Sequence, residues 1–173
     1  MFDRFLDSVA QMIQQALRPY DDQHASVLAR IEELERRVRN QIQPAKVVGI
    51  HEGGQLVQVE YGRNVSPFVR WFAPAAGKIK EYRCPSMGEQ CVLINYGGGD
   101  NSTQAWVLCG IWSDRYPAPT DQTRLHVIEY PDGSSIVHDT QTGNHVWTIT
   151  GNLVLDVEGK IIETATQHEA SKR

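Results

Sequence analysis

The chain is 173 residues long, 40% hydrophobic and 22% charged, with a formal net charge of −4. That length suits one compact domain with appendages, and the composition excludes wholesale disorder. A net negative charge removes the general attraction to phosphate on which nonspecific nucleic-acid binding rests, so no nucleic-acid partner is expected.

The first seven residues, Met1-Phe-Asp-Arg-Phe-Leu-Asp7, carry an early acid and lack the charged, apolar and small-residue layout of a secretory signal. No apolar run reaches the roughly 20 residues needed to span a bilayer, so synthesis and assembly in the cytoplasm are expected. Residues 1–43 contain no glycine and a single proline, Pro19. Phe2, Phe5, Leu6, Val9, Met12, Ile13, Ala16 and Leu17 recur at spacings of three and four, the mark of an amphipathic helix. Pro19 is expected to interrupt it, and Asp21 or Asp22 to cap a second helix striped by Val27, Ile31, Leu34, Val38 and Ile42. The stripes fit either a helix packed on its own domain or a short parallel coiled coil between copies of the chain. Arg36, Arg37 and Arg39 lie in a segment that also carries Glu32, Glu33 and Glu35, which reads as a solvated helix face rather than a phosphate site.

Over residues 44–118 the texture changes to short runs rich in β-branched and aromatic residues. Strands are expected at Lys46–His51, Leu56–Tyr61, Phe68–Ala73, Glu89–Asn95 and Gln104–Trp112, with turns at Gly53-Gly54, Gly62-Arg63-Asn64 and Gly97-Gly98-Gly99. Five short strands in so few residues suit a small closed barrel of the oligonucleotide/oligosaccharide-binding (OB) type, a fold that serves many functions. Gly97-Gly98-Gly99-Asp100 lacks the following Lys-Ser/Thr of a phosphate cradle and reads as a hairpin loop. Trp71, Phe72, Tyr82, Trp106 and Trp112 have no accompanying basic residues with which to stack bases, and are expected to fill the barrel or a subunit interface. Cys84, Cys91 and Cys109 are odd in number and lack CxxC spacing, so reduced thiols are expected rather than a disulfide framework or a zinc knuckle. Gly-x-Ser-x-Gly and His-Glu-x-x-His are both missing, and no enzymatic activity is expected. The alternative function is an OB-type oligonucleotide- or sugar-binding module that oligomerises through its helices.

Residues 119–173 are periodic. Glycines at 143, 151 and 159 align Gln141-Thr-Gly-Asn-His-Val-Trp-Thr, Ile149-Thr-Gly-Asn-Leu-Val-Leu-Asp and Val157-Glu-Gly-Lys-Ile-Ile-Glu-Thr as three octads. Eight is even, so a strand residue keeps its facing from one octad to the next. Odd positions place His145, Trp147, Ile149, Leu153, Leu155, Val157 and Ile161 on one apolar face, while even positions mix Val146, Val154 and Ile162 with polar residues. An eight-residue unit is too short to build its own core, so other chains must supply the missing walls. Three chains wound about a common axis would do so, with Trp147, Ile149, Leu153, Leu155, Val157 and Ile161 as the trimer core and Gly143, Gly151 and Gly159 at the corners.

Two patterns carry a family resemblance. One is Trp71-Phe72-Ala73-Pro74-Ala75-Ala76-Gly77, then Pro85-Ser86-Met87-Gly88-Glu89-Gln90-Cys91-Val92-Leu93, then Val107-Leu108-Cys109-Gly110-Ile111-Trp112-Ser113; the other is the octad with an aliphatic residue two before glycine, as at Ile149/Gly151 and Val157/Gly159. Together they resemble the baseplate assembly protein V family, the central spikes of contractile phage tails and of related tail-like bacteriocins. The resemblance implies a mainly β fold: N-terminal helices, a five-stranded OB-like barrel, and a C-terminal intertwined triple-stranded β-helix. It further implies a homotrimer docked on baseplate hub and tail-tube proteins, through a surface that would include Phe2, Phe5, Leu6, Val9, Met12 and Ile13. Sheath contraction would drive its needle through the target cell envelope, so the protein would pass from virion or bacteriocin baseplate to the outside. Family tips often carry a His-x-His pair around an iron ion; this chain has His168 alone, so no cofactor is expected, and a separate tip-capping protein is a further partner the resemblance allows.

Overall fold

The computed structural model describes residues 2–99 and 102–167. It divides into two compact units, Met1–Pro117 and Ala118–Arg173.

The first unit opens with one helix, α1 (Phe2–Gln41), 40 residues long, with Pro19 in its interior. The expected break at Pro19 does not occur. Proline removes one amide donor, the one that would reach the Gln15 carbonyl. The Ala, Gln, Leu, Arg and Glu on either side are strong helix formers, so propagation resumes after the lost bond. Glu33 accepts hydrogen bonds from Arg36 Nε at 2.8 Å and from Arg37 Nε at 2.7 Å. Those bonds, Arg36's first, hold its carboxyl down at about 2. The basic run is thus a solvated, internally paired helix face.

The helix runs straight into β1 (Ile42–Ile50), so Ile42, read from its spacing as the last residue of a helical stripe, is instead the first of a strand. Then follow β2 (Leu56–Tyr61), β3 (Asn64–Val65), β4 (Val69–Trp71), β5 (Ala75–Ala76), β6 (Lys80–Glu81), β7 (Gln90–Asn95) and β8 (Ala105–Ile111). The sheet order is β1-β7-β8-β4-β2-β3, and β2 returns to pair with β1, closing a five-stranded OB-like barrel on which β3 is a short addition. The barrel strands fall where sequence placed them, within a few residues at each end. The two-residue pieces β3, β5 and β6 are too short to leave a pattern.

Closure depends on β1. Its residues Ile42–Lys46 pair with β7, and Lys46–Ile50 pair with β2, with the register shifting between Val47 and Gly49. A bulge bends the strand there, so one strand serves both neighbours. The backbone groups of Val47 are met from outside the ladder, its amide donating to Glu89 O at 2.9 Å and its carbonyl accepting from Gly88 N at 2.8 Å. On the far side β4 and β8 run parallel.

Alternation along the strands turns Val47, Val57, Val59, Val69, Cys91, Leu93, Ala105 and Val107 inward, and these make up the core. Each buried valine or leucine contributes about 1.5–3 kcal/mol. All three cysteines are free thiols; only Cys91 is fully buried, and it lies directly opposite Cys109 across the β7–β8 ladder.

Beside the bulge sits Glu89, whose side chain is only 7% exposed. It accepts from Arg83 Nη1 at 3.0 Å and Nη2 at 2.7 Å, and from the Ser86 amide at 2.8 Å. Burial pushes this carboxyl up, but the Arg83 and Ser86 bonds outweigh it and leave the group below its ordinary range. A lowered folded value contributes stability that is complete above the unfolded glutamate pKa of about 4.3 and is lost as pH falls through the folded value. Accordingly, the urea midpoint of barrel unfolding should drop as the solution is acidified below about pH 4. Glu89→Gln should lower the midpoint at pH 7 and flatten that acid limb; an unchanged limb in the variant would assign the acid sensitivity to other carboxylates.

The second unit contains β9 (Leu125–Glu129), β10 (Ser135–Asp139) and β11 (His145–Thr148), an antiparallel meander with β10 in the middle. Gly133 and Gly143, at φ of 84° and 72°, take the left-handed conformations the two connecting turns require. Each turn is braced by an aspartate: Asp132 accepts from Ser134 N at 3.0 Å and Thr150 Oγ1 at 3.0 Å, and Asp139 accepts from Gln141 N at 2.9 Å. Hydrogen bonds to backbone amides, Ser134's and Gln141's foremost, hold both carboxyls below their usual range.

The described residues after β11, 149–167, contain no strand, so within one chain the octads do not form the wall of a β-helix. Gly151 and Gly159 do not sit in the left-handed region, unlike Gly143, because there is no strand course here for them to turn. Backbone groups that would pair in an intertwined helix have no ladder available inside a single chain.

Candidate functional site

Proteins that function as isolated monomers rarely leave large apolar side chains in contiguous exposed rows. This chain does so in three places.

The first is α1. Phe2, Phe5, Leu6, Met12 and Ile13 are exposed and Val9 is half-buried, and the row continues along the helix. Among the exposed large apolar residues of the helix, exposure runs from 45% at Ile31 to 75% at Phe2. At the other end of the helix the Arg37 side chain lies over Gly98, where an added Cβ would come within 3.3 Å of it. Gly98 belongs to the turn after β7, which Asn95 Nδ2 ties down by donating to Gly99 O at 2.6 Å. The glycine stretch is the expected hairpin connection, with Asp100 outside the described residues.

The second is the outer wall of the barrel. In β8 the alternation that buries Ala105 and Val107 turns Trp106 and Leu108 outward. The Trp106 ring meets Tyr96 at 4.8 Å and the edge of Phe72 at 5.8 Å. Arg70, Trp71, Phe72 and Trp106 line an open groove beside it. Tyr82 and Trp112 are exposed as well. Of the two places expected for the aromatics, the barrel interior is ruled out for Phe72, Tyr82, Trp106 and Trp112, because an interior of valines, a leucine, an alanine and a cysteine has no room for them. Trp71 alone packs against the core, half-buried, with its Nε1 donating to Gly54 O at 2.9 Å. Gly54 stands at φ 68°, and a Cβ there would overlap the Tyr82 hydroxyl. Tyr82 in turn leans on Trp71 at 6.0 Å.

The third surface is in the second unit. Register sets Ile128, Ile136 and Trp147 side by side on one face of the meander, with His126, His138 and His145 as the adjoining row. The His138 and His145 rings are 5.4 Å apart, and His138 Nδ1 is buried without a hydrogen-bond partner. This row escaped sequence reasoning, since its members come from three separate segments that only strand register brings together. Trp147 in β11 and Ile149, Leu153, Leu155, Val157 and Ile161 beyond it are 41–59% exposed, while on the even side Val146 is 53% exposed and Val154 and Ile162 are 80% and 82% exposed. Among the described residues, no other segment buries the side chains from Ile149 to Ile161. Among the described residues no group of three His, Cys, Asp or Glu side chains could hold a metal ion, and His168 lies outside them. No helix among the described residues is long and apolar enough to cross a membrane.

Residues 43–112, which span the barrel from β1 to β8, match the family described as the type VI secretion system/phage-baseplate injector OB domain. Over these residues the barrel is similar to that family's domain. It is also 33% identical over 141 residues to the spike protein of Escherichia phage P2; the match takes in 82% of this chain and 65% of that protein's length. Its extent exceeds the barrel, so sequence likeness reaches into the flanking segments too. Within the barrel, the closed five-stranded order and the Trp71–Gly54 bond define the frame that sets the outer aromatic face.

Gly54→Ala tests that frame. The strained φ and the collision with Tyr82 should lower the urea unfolding stability by about 1–3 kcal/mol. The near-UV circular dichroism of the Trp71–Tyr82 pair should weaken in parallel. A variant with unchanged stability and spectrum would show that the turn has slack the geometry denies.

Proposed function

We propose that the chain is a non-enzymatic, homotrimeric central spike of a contractile-tail baseplate, in a phage or a tail-like bacteriocin. The observation that carries this reading is the run of octads whose apolar odd face is left open, in a chain that also holds an injector OB domain. Three copies winding around one axis would bring Trp147, Ile149, Leu153, Leu155, Val157 and Ile161 inside, and each chain's edge would be paired by the next. The described chain supports this by what it lacks: residues 149–167 have no ladder of their own and no cover. Gly143, Gly151 and Gly159 would then mark the corners, with the latter two taking up their turns on assembly.

In this reading the barrels form a collar on hub and tail-tube proteins, and a short needle of about three courses projects from it, one per octad. Its work is mechanical. A closed triangular β-structure with an apolar interior resists bending because every course is bonded on both sides, so axial force from sheath contraction is delivered to the target envelope. The protein would be made in the bacterial cytoplasm, built into the particle and carried outside with it. No cofactor is needed; the tip, where His168 lies, would meet either the envelope or a separate capping protein.

Solution mass by light scattering should give three chains for the purified protein. Leu155→Asp should abolish that assembly by placing three carboxylates together in an apolar interior, while Lys160→Ala leaves it intact. A folded wild-type monomer would refute the needle. Clearing of a peptidoglycan suspension would refute the non-enzymatic role, and salt-sensitive affinity for single-stranded DNA would favour a binding barrel instead.

A further inference from the structure

Because α1 is unbroken, its apolar residues can be placed on one helical register from end to end. Leu6, Ile13, Tyr20, Val27 and Leu34 then fall at successive d positions of a heptad, and Ala10, Leu17, His24, Ile31 and Val38 at successive a positions. The alternation of three- and four-residue steps passes through Pro19 without a skip. Pro19 itself falls at c, away from the a/d line. There its missing amide and its ring lie on the outer side, and the bend a proline causes carries the helix toward the a/d side. The b and f positions, Arg4, Gln11, Arg18, Ala25, Glu32 and Arg39 with Ser8, Gln15, Asp22, Ala29 and Arg36, are polar or small throughout.

We infer that α1 forms one continuous parallel three-stranded coiled coil with the same helix of two further copies, along the whole row from Leu6 to Val38. The inference rests on the trimeric reading above and names the residues that join the helices. Several observations select this occupant. The row is exposed in the single chain, with Leu6 at 52%, Ile13 at 55%, Leu34 at 60% and Val38 at 65%. A helix of 40 residues is about 60 Å long, far beyond what the barrel at its C-terminal end can cover. Apolar a/d spacing is the pattern of a coiled-coil seam, and β-branched Ile13 and Val27 at d favour three strands over two. Parallel alignment also sets Arg30 at g against Glu35 at e of the neighbouring copy, a pairing of opposite charge. His24 is the one polar member among the seam's apolar and tyrosine side chains, and a single polar a residue pins the register of such an assembly.

The assignment divides the N-terminal apolar group. Leu6 and Ile13 turn into the seam between copies, whereas Phe5 and Met12 fall at c, and Phe2 and Val9 at g, outside or flanking it. The latter four are the residues left to meet tail components.

Cysteine variants of the full chain, oxidised mildly and run on a non-reducing gel, test the seam. Leu6→Cys and Leu34→Cys, on either side of Pro19, should each shift the monomer band to a covalent dimer, two of three axial thiols being joined. Phe5→Cys and Glu32→Cys should match the wild-type protein, which controls for Cys84, Cys91 and Cys109. A trimeric mass with crosslinking at Leu34→Cys alone would overturn the continuous seam and leave the spike standing. A trimeric mass with no crosslink at either site would overturn the coiled coil. A monomeric mass would sink both readings together.

Discussion

The volume inside the barrel decides most of what surrounds it. Five short strands closed on themselves leave space for valines, an alanine, a leucine and a cysteine, and for little else. Any larger apolar side chain on the same strands must lie on the outer wall. That is where Trp106, Leu108 and Phe72 are found, and they gather into a face rather than scatter because β8 and the end of β4 run parallel beside one another. A small core and an apolar exterior are thus two results of one packing limit, and an exterior of that kind marks a surface for contact with another molecule.

Closure itself rests on a local irregularity. β1 can reach both β7 and β2 only by bending at Val47–Gly49, and at the bend the backbone groups of Val47 bond just ahead of the first residue of β7. Residues 88–89 meet those groups, and Glu89 is held in place by Arg83 and the Ser86 amide. A buried carboxylate is costly unless fully bonded. Here it is bonded on both oxygens and sits beside the strand that closes the barrel. The Pro85–Leu93 segment, one of those that carried the family resemblance, therefore has a structural duty independent of any partner.

The helix and the octads share a property with the barrel wall: each is regular, apolar on one side and uncovered. In α1 the regularity survives Pro19 because one lost hydrogen bond does not outweigh the helix-forming residues around it. In residues 149–167 the regularity does not produce strands, since a strand needs a partner for its backbone and the chain offers none. One chain thus builds a helix without help and cannot build a β-helix without help. Helical hydrogen bonds close within the segment, whereas ladder bonds must be found elsewhere.

Sequence by itself determined the helical N-terminal segment, the five barrel strands within a few residues, the glycine turns of the barrel and the periodic apolar faces, because these depend on short-range rules of period, propensity and turn conformation. It did not determine the continuity of α1, where proline's local penalty was weighed without the rest of the helix. Nor did it determine that Ile42 opens a strand, since a residue at a helix–strand junction satisfies both periods. Only the tertiary structure decided which aromatics face out, which backbone groups the bulge exposes, and that His126, His138 and His145 stand in one row. Those depend on how much volume closure leaves and on which residue lies opposite which across a ladder, quantities that arise only when distant segments meet.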